Sequence, residues 1–144
     1  MSTDENKALI RRFNDEVWNK GNLAVVDEVF ASDAVWHSAP PGLPPTREGL
    51  RQMITGFRAA FSDTRTTVDE QIAEGDKVVW RWTFQGTHTG ELMGIPTTGK
   101  QITFTGISVD RIAGGRCVER RDSADMLGLL QQLGAIPAPG QAPA

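Results

Sequence analysis

The chain has a single cysteine, Cys117, among its 144 residues. A lone thiol excludes an internal disulfide and fits a reducing cytoplasm. Basic residues form no run longer than the pairs Arg11-Arg12 and Arg120-Arg121, and the formal net charge is -3. Phosphate binding needs a basic face, so these features argue against a nucleic-acid partner, and none is expected. No apolar run approaches the roughly 18 residues of a membrane span, and the N-terminus lacks the charged-then-apolar order of a signal peptide. A membrane partner is therefore not expected. His37 and His88 are the only histidines. They lie far apart, without H-x-x-x-H spacing or a cysteine pair, so no metal site is expected. Also missing are a G-x-G-x-x-G after a strand, a G-x-S-x-G and a phosphate loop, and with them dinucleotide, phosphate and covalent-nucleophile machinery. An enzyme built on this chain works by acid/base chemistry, placement and shape.

What is present suits one domain with one core, because two domains would each be too small to bury much. That domain is expected over 1–135, with a flexible Pro/Ala tail over 136–144. Leu9, Ile10, Phe13 and Val17 follow helical spacing and predict a first helix over 3–20, with Ser2 and Glu5 as a capping box and Gly21 ending it. A short helix over 23–30 follows, with Asn22 as its cap, then a brief strand over 34–37 and a Pro-rich loop over 39–45. A third helix over 47–61 carries Leu50, Met53, Ile54, Phe57 and Phe61 on one face. The period then changes to two, predicting strands over 64–73, 77–86, 101–112 and 116–124. Glu74-Gly75-Asp76 and Gly114-Gly115 supply the hairpin turns. Val78, Trp80, Trp82 and Phe84 share one face of their strand. A last short helix covers 126–133. Helices followed by a long antiparallel meander make an α+β order.

Three segments carry a family resemblance. They are GTHTGELMGIPTTGK at 86–100, MLGLLQQLG at 126–134 and VWNKGN at 17–22. The first spends four glycines, a proline and a histidine on fifteen positions, more than a plain hairpin loop needs. Together they resemble the SnoaL-like polyketide cyclases, or ester cyclases, of the nuclear-transport-factor-two-like superfamily. The resemblance runs from about Asn6 to Gly134. It implies a cone-shaped α+β barrel, with N-terminal helices packed on a strongly curved, mostly antiparallel sheet around an apolar cavity. The activity it implies is cofactor-independent intramolecular aldol closure of a small carbonyl-bearing, polyketide-like molecule. The same fold also hosts hydroxylases, isomerases and epoxide hydrolases, and it can serve as a non-catalytic binding module. Family members usually pair through the outer sheet face, so a homodimer or higher homo-oligomer is expected.

By the flanking LGLLQQLG, the family's general acid/base aspartate falls on Asp125. An aspartate before an apolar helical run is equally a good N-cap. Asp122, three residues earlier, is the reserve candidate. Simple alternation along CVERRDSAD puts Cys117, Glu119, Arg121, Ser123 and Asp125 on one face. Many relatives carry an apolar residue, commonly Trp, where this chain has Arg121. In the cavity Arg121 would lower the carboxylate's pKa or bind an anionic substrate group; at the mouth it would pair with Glu119. His37 beside Trp36, and His88 within GTHTGE, are candidates for orienting the substrate. Trp36, Trp80 and Trp82 offer area to flat ligands, although such residues also serve cores and interfaces. Trp18 is expected to be packing. Met93 is the methionine placed to close over a ligand.

Overall fold

The computed structural model describes residues 2–137 and Gly140. The tail expected from Ile136 lies mostly outside the described residues. Helix α1, Thr3–Arg12, starts on the Ser2/Glu5 capping box, with the Glu5 amide donating to Ser2 Oγ at 3.0 Å. The expected first helix runs on to Asn19, but its second half, Phe13–Asn19, winds as a π-helix in place of an α-helix. The wider turn brings both Asn14 and Asn19 onto Thr66, where straight α-geometry would separate them around the axis.

Helix α2, Ala24–Val29, has no side-chain cap, and Asn22 contributes only its carbonyl. Strand β1, Phe30–Trp36, is longer than periodicity suggests because it pairs in parallel with the last strand. Helix α3, Arg47–Ala60, is capped by Thr46. The meander follows as β2 (Arg65–Glu74), β3 (Lys77–Thr87), β4 (Gln101–Ala113) and β5 (Arg116–Ala124), and α4 (Met126–Gln132) closes it. Gly114 and Gly115, both at positive φ, make the tight β4–β5 turn that only glycine adopts freely. Strand order is β1-β5-β4-β3-β2, with all but the β1–β5 pair antiparallel.

The sheet wraps its inner face around the helices. Ile10, Phe13 and Val17 meet Val78, Trp80, Ile112 and Cys117 in one buried cluster. Phe61, Phe84, Phe104, Leu129 and Leu133 form a second, covered by α4. A cavity opens between the two. Among the described residues, no helix is long and apolar enough to cross a membrane.

Candidate active site

The face that β5 presents to the interior is set by one extra residue. Ile112 pairs with Cys117 and Arg111 with Glu119, so Val118 has no partner and forms a bulge. A bulge shifts the alternation by one. Cys117 therefore points inward, and beyond the bulge it is Arg120, Asp122 and Ala124 that do so, while Arg121 and Ser123 face out.

The cavity has a volume of about 290 Å³. Its wall is aromatic: Trp18, Trp36, Trp80, Trp82, Phe57, Phe84 and Phe104 all line it, with Met53, Met93 and Met126. Trp18, expected to be packing, thus belongs to the wall; the π-helical turn carries it inward against Phe57 and Phe84. Three of the four indole N–H groups are spent on polar side chains of β4 and β5. Trp80 Nε1 donates to Asp110 Oδ2 at 2.8 Å, Trp82 Nε1 to Ser108 Oγ at 3.0 Å, and Trp36 Nε1 to Asp122 Oδ2 at 2.8 Å. Indole needs such an acceptor when buried, so wall and polar cluster specify each other.

Asp122 is the one carboxylate that lines this cavity among the described residues. Its Oδ1 accepts from Ser108 Oγ at 2.5 Å, its Oδ2 accepts from Trp36, and its amide donates to Ser38 Oγ at 2.7 Å. A carboxylate has about four lone-pair sites, so two remain for a ligand. Beside it, Arg120 is 3% exposed and bidentate on the fully buried Asp110, at 2.6 and 2.8 Å. The guanidinium also lies over the rings of Phe13 and Phe30, 4.5 and 4.8 Å from their centroids. Burial is the largest single influence and opposes the charge. Asp110, with help from Asp122, outweighs it and holds Arg120 above its ordinary range. The pair cancels charge within the wall. Burial pushes the Cys117 thiol well up, so it stays neutral there.

Several expected site residues lie elsewhere. Asp125 does not enter the cavity. It follows the end of β5, caps α4 by accepting from the Gly128 amide at 2.9 Å, and opens on an outer groove with Arg81, Thr105 and Ile107. Arg121 is exposed and pairs with Glu119 at 3.6 Å. The Arg111 hydrogen bond is the chief reason that Glu119 sits below the usual carboxylate range. His37 is half-buried at the end of β1, 4.0 Å from Glu119 and away from the cavity wall. His88 is fully buried yet also off the wall. It clasps the 88–100 loop: the Thr98 amide donates to Nδ1 at 3.2 Å, and the His88 carbonyl accepts from the Gly99 amide at 2.8 Å. Trp36, Trp82 and Met93 do line the cavity. Met93 sits at the loop tip with φ of 49° and is 59% exposed. Sequence reasoning missed Ser108, Arg120, Asp110 and Asn14. Alternation from Phe104 along β4 would have placed Ser108 and Asp110 on the Trp face.

An apolar cavity enclosed by helices and a mostly antiparallel sheet is the setting that the 86–100 and 126–134 segments imply. Residues 8–133 match the model of the SnoaL-like polyketide cyclase family. The chain belongs to this family. The chain is 30% identical over 129 residues to aklanonic acid methyl ester cyclase DnrD of Streptomyces peucetius, with 88% of each chain covered. It is 29% identical over 119 residues to nogalonic acid methyl ester cyclase of Streptomyces nogalater, covering 81% of this chain and 89% of the other. Among solved structures, TsrD from Streptomyces laurentii superposes with a TM-score of 0.85 at 29% identity, covering 94% of this chain and 99% of TsrD.

Proposed function

We propose that this protein is a cofactor-independent cyclase that closes a ring in a polyketide-like ester by intramolecular aldol addition, with Asp122 as the proton carrier. One observation carries the residue assignment: Asp122 is the carboxylate held against the aromatic cavity with two lone pairs unspent. In this reading the carboxylate removes a proton from the carbon beside a carbonyl. The electron pair released forms the new carbon–carbon bond at a second carbonyl of the same molecule. The resulting alkoxide takes the proton back from the Asp122 carboxyl group. Product and substrate are isomers, and the enzyme ends as it began. Trp36 and Ser108 fix the carboxylate's plane, while the aromatic wall excludes water and holds the substrate folded.

Aklanonic acid methyl ester, the substrate in the name of one relative, is a suitable first probe. Asp122→Asn should lower turnover by about 100- to 10,000-fold, the usual weight of a general acid/base. Asp125→Asn, which alters only the helix cap, should leave turnover within a few-fold. Normal rates for Asp122→Asn, or a collapse confined to Asp125→Asn, would refute the assignment. Pairing of two copies through the outer sheet face is part of the same proposal. Val35, Ile72 and Ile107 stand 40–59% exposed in support of it. A 15.7 kDa particle in light scattering would count against the dimer.

A further inference from the structure

Gly106 sits in the middle of β4, where glycine costs strand stability. Neither a bulge in the β3–β4 ladder nor a positive φ calls for it. The β3–β4 ladder runs without a bulge from Lys77–Arg111 to Thr87–Gln101, and Gly106 is not among the positive-φ residues. The space above its Cα is occupied instead. A Cβ built there would lie 2.2 Å from Trp82 Cζ2, 2.5 Å from Cη2 and 2.7 Å from Cε2. Trp82 is its cross-strand partner, and the indole lies flat across the missing side chain. That pose carries Nε1 two residues along β4 to Ser108 Oγ at 3.0 Å. With the hydroxyl oxygen accepting from the indole, its single proton is directed to Asp122 Oδ1 at 2.5 Å.

We propose that Gly106 is a positioning residue for the Asp122 carboxylate, acting through Trp82 and Ser108. The inference rests on Asp122 being the proton carrier. Any side chain at position 106 lifts the indole off the sheet and breaks its bond to Ser108. The hydroxyl proton is then no longer steered, and the carboxylate keeps only Trp36 as a fixed donor.

The test uses the full-length protein labelled with nitrogen-15, so that each indole N–H gives its own proton NMR signal; single Trp→Phe variants assign them. Gly106→Ala should move the Trp82 indole signal upfield and speed its exchange with solvent. The Trp36 signal should move with it, because Trp36 reports on Asp122. Against aklanonic acid methyl ester, kcat should fall about tenfold, one hydrogen bond's worth, and KM should rise as well because the displaced Trp82 indole takes up cavity space. The double variant Gly106→Ala/Trp82→Phe should be no slower than Trp82→Phe alone, since both changes break one link. Unmoved Trp82 and Trp36 signals in folded Gly106→Ala, or additive losses in the double variant, would overturn the inference. If Gly106→Ala does not fold, Trp82→Phe decides: a fixed Trp36 signal there also overturns it. The NMR arm needs no turnover. A wild-type protein inert toward the ester, with both indole signals moving, would therefore fault the substrate and spare the link.

Discussion

Arg120 and Asp110 place a salt bridge at the cavity wall, with side chains 3% and 0% exposed, and the fold tolerates it because the polar atoms find partners. Asp110 accepts two N–H bonds from Arg120 and one from Trp80, while three aromatic rings flank the cation. Such pairs are sensitive to losing one member and tolerant of losing both. Asp110→Asn leaves a buried guanidinium without its counter-charge and should cost about 3–5 kcal/mol in urea denaturation. Replacing the pair together, with Asp110→Leu and Arg120→Met, should cost less than the Asp110→Asn change alone. Costs that simply add across the two sites would show that the charges are not coupled. Arg121, one residue on, points outward, and Arg121→Ala should stay within about 0.5 kcal/mol of the parent.

That contrast between neighbours also shows what could be read from the chain before its structure. The hairpin turns, the face of α3 and the Trp80–Trp82–Phe84 face are written in local spacing. The orientation of β5 is not. Alternation advances one step per residue, and Val118 occupies a step without crossing the sheet, so counting from Cys117 turns Arg121 inward in place of Arg120. Val118 itself carries no mark of this; the bulge follows from register with β4 and β1. The same holds for residues Phe13–Asn19, whose apolar spacing fits an α-helix although tertiary contacts draw it into a π-helix. The gain from that winding is visible at the sheet's edge. Strand β2 has β3 on one side only, and at Thr66 the open side is met by Asn19. The asparagine's Oδ1 accepts from the Thr66 amide at 2.7 Å and its Nδ2 donates to the Thr66 carbonyl at 2.9 Å. A side-chain amide thereby imitates the missing strand. Asn19→Ala should accelerate hydrogen exchange at the Thr66 amide and lower stability by about 1–3 kcal/mol, the cost of two lost hydrogen bonds in a part-buried place. Unchanged exchange at Thr66 would mean that the edge is protected by packing alone.

At the scale of the whole molecule, the two buried clusters both contribute to the wall of one cavity, which is the space left between them. Filling it should therefore bridge the clusters and stabilise both. All four tryptophans of the chain line that cavity, which couples stability to an optical signal. A flat apolar ester seated there lies within reach of every indole, so its binding should quench intrinsic fluorescence along a single saturable curve. Binding to the folded state alone adds RT ln(1 + [L]/Kd), about 2.7 kcal/mol when ligand stands at 100 times Kd, which for a chain of this size is a rise of several degrees in Tm. Both readouts should follow the same Kd, and Asp122→Asn should preserve them, because the aromatic wall is intact in that variant. Quenching without any rise in Tm would place the ligand on the surface. A rise that Asp122→Asn abolishes would shift the carboxylate's role from moving a proton to holding the substrate.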